Sequence, residues 1–173
     1  MKLHQHVIIS IGISALVGLG LKSWIAAAAC FAAGVFIDLD HVFDYILNCV
    51  KNGFKPSIRH FFHSFEYEAF DYLVLLLHSW EFVPIWLALV WYLNWPPVLL
   101  GLLIGLASHL LLDQLFNKQA PGGYFLLYRI RYGFSGKHYL GAREYRKRMK
   151  KTKALRNLST VSHAPTGERD AHA

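Results

Sequence analysis

Apolar positions in this chain are not spaced as on one face of a surface helix; they run together. Residues 7–37 are interrupted only by Lys22, Ser10, Ser14, Ser23 and glycines, and residues 82–107 are nearly as apolar. Runs of this length and purity predict helices that face lipid. Four segments follow, 7–21, 24–39, 72–93 and 95–115, with Gly18, Gly20 and Lys22 separating the first pair and Asn94, Pro96 and Pro97 the second. At ~1.5 Å per residue the first two reach only ~21–24 Å, short of a ~30 Å hydrocarbon core, so polar flanks must be drawn into the membrane or the membrane must thin. Trp24, Trp91, Tyr92 and Trp95 gather at the two tight turns, as an aromatic belt would. The expected fold class is therefore all-α, an integral membrane helical bundle of about four short transmembrane helices with a basic, partly disordered C-terminal tail.

Composition agrees: 54% of the 173 residues are hydrophobic, only 17% are charged, and the charge is pushed to one end. A soluble helical protein would have too much apolar surface to hide. The two cysteines, Cys30 and Cys49, exclude a disulfide framework and a cysteine-based zinc site. The Ala-rich stretch 26–29 imitates a signal-peptidase site, but the apolar run resumes at once, so the first span is expected to be retained.

Charge sets the expected orientation. Lys51, Lys55 and Arg59 lie in the middle connection, and most of the 18 Lys and Arg residues lie from Lys137 onward, leaving only Lys22 on the far side. Positive residues stay inside, so the middle connection, the tail and both termini are expected to be cytoplasmic. The basic run 143–156 is read as fixing topology and touching anionic lipid headgroups rather than nucleic acid. The aromatic and basic segment around Arg129 and Arg131 is expected to lie in the interface plane, and residues 163–173 to be disordered.

Ionisable groups in a span cost ~2.5–3.5 kcal/mol each, so every one demands a reason. Here they come in groups: His6 at the start of the first segment; Asp38, Asp40 and His41 at the end of the second, with Asp44 behind them; His60 and His63 in the middle connection; His78 and Glu81 in the third segment; His109 and Asp113 in the fourth. The charge-derived topology puts all of them toward the cytoplasmic half. Asp38/His41, His60/His63 and His78/Glu81 are i,i+3 pairs and His109/Asp113 is i,i+4, so each would project from one helix face. Imidazole and carboxylate without thiolate suit zinc, manganese or iron. The competing readings are a hydrogen-bonded network without metal for Asp38, His41, His109 and Asp113, and headgroup or lysine partners for Asp44, Glu66, Glu68 and Asp71.

Three stretches resemble the YdjM-like family of membrane-bound, metal-dependent hydrolases. FIDLDH (36–41) is similar to its PDxDH motif, RHFFHS (59–64) to its HRGFTHS segment and ASHLLLDQL (107–115) to its HLLxDxxT segment, while His6 matches an N-terminal histidine. Ile37 replaces the usual proline, the second stretch lacks its glycine and threonine, and Asn117 follows where threonine-proline is common. The resemblance implies a divalent-metal hydrolase of the bacterial inner membrane, with His6, Asp38, Asp40, His41, His60, His63, His109 and Asp113 carried over. Whether His60/His63 or His78/Glu81 complete the ligand set stays open.

The expected activity is hydrolysis of an ester or phosphoester, with a lipid-linked substrate plausible, metal ligands drawn from His6, Asp38, His41, His60, His63, His78, His109 and Asp113, and Asp40 or Glu81 as general base. Lys51, Lys55, Arg59, Arg129 and Arg131 are available to hold phosphate. The rival is a membrane protein that binds metal without catalysis. The chain then divides into a metal-binding bundle (1–117), an interfacial segment (118–140) and a basic tail (141–173).

Overall fold

The computed structural model describes residues 3–53, 55–67, 70, 72–117 and 119–161. Among them the fold is all-helical: α1 (Leu3–Leu21), α2 (Trp24–Phe36), α3 (Leu39–Asn52), α4 (Ile58–Tyr67), α5 (Phe82–Tyr92), α6 (Pro97–Phe116), α7 (Leu126–Arg131), α8 (Gly136–Leu140) and α9 (Ala142–Val161). Three helical runs are long and apolar enough to cross a membrane: His4–Leu21, Trp24–Asn52 and Pro97–Phe116. Their outer faces carry large exposed apolar side chains, among them Ile8, Leu16, Leu19, Trp24, Leu111 and Leu115. So much exposed apolar surface is what a lipid-facing bundle shows.

Local chemistry explains the breaks. Ser23 caps α2 by accepting the Ala26 N–H at 3.2 Å. The turns before α2 and α6 pass through left-handed backbone at Lys22, Asn94 and Trp95. Pro97 then opens α6, where a missing N–H costs nothing.

Packing around the site is dominated by α2 against α6. A Cβ on Gly101 would overlap the Ala26 carbonyl oxygen, and one on Gly105 the Cys30 carbonyl oxygen. Further along, His109 Nδ1 lies 2.8 Å from the Gly34 carbonyl oxygen, 75 residues away in sequence. The pairs 26/101, 30/105 and 34/109 keep one separation, so the two helices run parallel with backbones in contact. Parallel helices need a return limb between them.

That limb differs from the expected helix over 72–93. Only α5, 11 residues and ~16 Å long, is helical. Residues 72–81 run as extended chain and turns. The second segment also departs from expectation: after a break at Ile37 and Asp38 the helix resumes as α3 and continues to Asn52, where Gly53, at φ 71°, ends it. The two differences have one cause. On α3, Asp40, Asp44 and Asn48 recur every four residues and are all buried, and they hydrogen-bond the backbone of the extended limb.

Asp44 accepts the N–H groups of Val74 and Leu75, both at 2.9 Å. Asp40 accepts Leu77 N–H at 2.9 Å, and Asn48 Nδ2 donates to the Tyr72 carbonyl at 3.0 Å. Trp80 N–H reaches the Tyr124 carbonyl and Leu73 N–H the Phe134 carbonyl. Non-helical backbone among apolar helices is tolerated only when its polar groups are satisfied inside the protein. Asp44 therefore serves the limb's backbone, not the headgroups.

Candidate metal centre

Six of the expected residues come together. Ligand atoms of His6, Asp38 and His109, of Asp38, His41 and His78, and of His78, His109 and Asp113 each lie within 4.8 Å of one another. They arrive from α1, the α2–α3 junction, α3, the extended limb and α6. His78 reaches the cluster although it lies on no helix, because Asp44 and Asp40 pin the chain just before it, at Val74, Leu75 and Leu77.

Hydrogen bonds fix which ring nitrogens point inward. A carbonyl oxygen only accepts, so His109 Nδ1 must carry the hydrogen it gives to Gly34, which leaves the Nε2 lone pair of the neutral ring free. Likewise His78 Nδ1, 3.0 and 3.1 Å from the two Asp40 oxygens, donates to that carboxylate. Both Nε2 atoms then face the cluster interior, 3.2 Å apart. Asp38 Oδ1 lies 3.3 Å from His78 Nε2 and 3.4 Å from His109 Nε2, and Asp113 Oδ2 lies 3.6 and 3.7 Å from the same atoms.

These are four lone-pair donors with no hydrogen among them while the rings are neutral. Such a grouping needs a positive charge, either a proton on an imidazole or a cation. The separations suit a cation: two ligands ~2.1 Å from one ion at the tetrahedral angle are ~3.4 Å apart. His6 adds to the fit. Its Nε2 contacts Asp113 Oδ1 at 2.9 Å and its ring stacks on His109, yet its Nδ1 is buried with no hydrogen-bond partner among the described residues. The buried His/Asp groups could thus hold a metal ion, and the donor set fits one.

Access is one-sided. The side chains of His78 and His109 are wholly buried and Asp113 is 5% exposed, whereas Asp38 and His41, 3.6 Å apart, keep 19% and 22%. Asp38 and His41 form the rim of the centre.

Other expected site residues lie elsewhere. His60 Nδ1 hydrogen-bonds the Tyr45 hydroxyl at 3.0 Å, and that hydroxyl also accepts Ser57 N–H; His60 belongs to none of the metal-sized groups among the described residues. The His63 side chain lies outside the described residues, as do those of Glu66, Glu68 and Asp71. Glu81 does not share a helix face with His78; it precedes α5 and accepts Leu127 N–H at 3.0 Å. Asp40 is committed to His78 and to Leu77 N–H, which makes it an orienting carboxylate rather than a general base.

Arg129 was expected in the interface, free to hold phosphate, but it is 2% exposed and spends its guanidinium on protein carbonyls; Arg131 is exposed. The four-residue recurrence of Asp40, Asp44 and Asn48 was a readable signal for α3 and its partner. Nothing local in the sequence marks Arg129.

Compared with models of known families, with curated proteins and with solved structures, the chain matches none.

Proposed function

We propose that the chain is a membrane-embedded, divalent-metal-dependent hydrolase of the YdjM-like kind, with its cluster toward the cytoplasmic face of a bacterial inner membrane. One observation carries this reading: His78, His109, Asp38 and Asp113, from three separate stretches of chain, turn lone pairs toward one another at 3.2–3.7 Å. The nitrogen and oxygen donors favour zinc, with manganese or iron as the other fits. When bound, the ion supplies Lewis acidity and lowers the pKa of a water toward neutrality.

The chain's own groups do the rest. Asp40 holds the His78 tautomer, and the Gly34 carbonyl holds that of His109. At the rim, His41 and Asp38 are the groups placed to take a proton from water. The buried side formed by His78, His109 and Asp113 keeps bulk water out.

A cleft of about 420 Å³ lined by Gln5, Ile8, Ile9 and Phe116 opens beside the ends of α1 and α6 that carry His6 and Asp113. Its apolar lining supports an ester or phosphoester linked to a lipid as substrate class. Lys51, Lys55 and Arg59 and the basic face of α9 support a cytoplasmic orientation and contact with anionic lipid.

The burial of most of the donor set favours a second reading, a non-catalytic metal-binding membrane protein. Turnover of a panel of phosphoester and carboxylester lipids, with and without added zinc, separates the two. Metal-dependent turnover that is lost in Asp38→Asn supports the hydrolase; stoichiometric metal without turnover of any member supports the binder.

A further inference from the structure

The limb that carries His78 has an unusual support on its carbonyl side. Arg129 Nη1 donates to the carbonyl oxygens of His78 at 3.0 Å and Gly123 at 2.8 Å, and Nη2 to that of Leu75 at 2.9 Å and to the Ser79 hydroxyl. Leu75 sits at φ 43°, a left-handed conformation that leucine does not hold unaided. Its N–H is fixed by Asp44 and its carbonyl by Arg129, so the strained residue is gripped from both sides.

We propose that Arg129, from outside the bundle's long helices, is a positioning residue for the metal centre: it clamps the 75–79 turn and so holds His78 Nε2 against His109. Its planar fork serves three carbonyls and a hydroxyl at once, which a lysine ammonium cannot reproduce. Asp40 and Asp44 from α3, and Glu81 at the end of the limb, offset the buried positive charge. The link to metal rests on the reading of the site given above; the link to the limb's conformation does not.

Arg129→Lys and Arg129→Gln in the full-length, detergent-purified protein test this in two ways. In metal-stripped protein, backbone hydrogen exchange over residues 72–81 should quicken about tenfold in both variants while α2 and α6 keep wild-type rates. On titration with cobalt(II), affinity should fall ~10–100-fold and the visible bands should change as one imidazole is lost. Wild-type exchange over 72–81, an equal rise in α2 and α6, or a wild-type cobalt spectrum and affinity overturns the proposal. If the unaltered protein takes up no cobalt, the metal reading fails and the exchange result alone decides the role of Arg129.

Discussion

The Nε2 atoms of His78 and His109 face each other at 3.2 Å, each with its Nδ1 hydrogen already committed, His78 to Asp40 and His109 to Gly34. Two lone pairs held this close by separate hydrogen bonds are set for a shared cation. Metal analysis of purified protein should find about one or more transition-metal ions per chain. His109→Ala and Asp38→Ala should each lower that content by about tenfold or more, since a metal ligand matters at least as much as its outer partner. Unchanged content in both variants removes the site.

Asp40→Asn tests orientation apart from ligation. The amide keeps the shape and can still accept from Leu77 N–H, but it no longer favours the His78 Nδ1–H tautomer. Zinc affinity should fall ~10–100-fold with little loss of folding, as for other outer partners of ligating histidines. Competition with a chromophoric chelator would measure it, and wild-type affinity would refute the orienting role.

The contact between α2 and α6 predicts sharp asymmetry among the glycines. Gly105→Ala pushes a methyl group into the Cys30 carbonyl, and Gly101→Ala does the same at Ala26, whereas Gly12→Ala meets nothing within 4 Å. The first two should destabilise by ~1–3 kcal/mol. The third, at an open helical position, should be neutral or stabilise by ~0.5–1 kcal/mol. Thermal melts in detergent would rank them, and a Gly105→Ala variant as stable as wild type would contradict the close approach.

Topology is open to direct mapping. Single cysteines near Lys55 and Lys150 should be shielded from an impermeant thiol reagent added to intact cells, and one near Trp95 should be labelled. Labelling at Lys55 or Lys150 would reverse the proposed orientation.

The long apolar helices were legible because lipid-facing runs announce themselves by length alone: α1 ends, and α2 and α6 begin, close to where glycine, lysine and proline break the pattern. The cluster was legible as well, since Asp38, His41, His109 and Asp113 stand out against such a background. The limb was not. Residues 72–81 are as apolar as a helix, and hydropathy carries no sign of conformation there. What makes them extended lies at Asp44 and Arg129, about 30 residues before and 50 after. Assigning Glu81 a role beside His78 failed for the same reason, because it assumed a helical period where the backbone has none.

The clamp at Arg129 also bears on biogenesis. The guanidinium that holds the His78 carbonyl comes 51 residues later in the chain, so all three long apolar helices are synthesised before the last support of the centre has been made. Until synthesis passes α7, the limb has the partners that α3 supplies, Asp40, Asp44 and Asn48, but not Arg129, and a chain halted there would present an unfinished, adjustable pocket. On the proposed reading of the cluster, tight metal capture would then follow, rather than lead, the docking of the segment beyond α6.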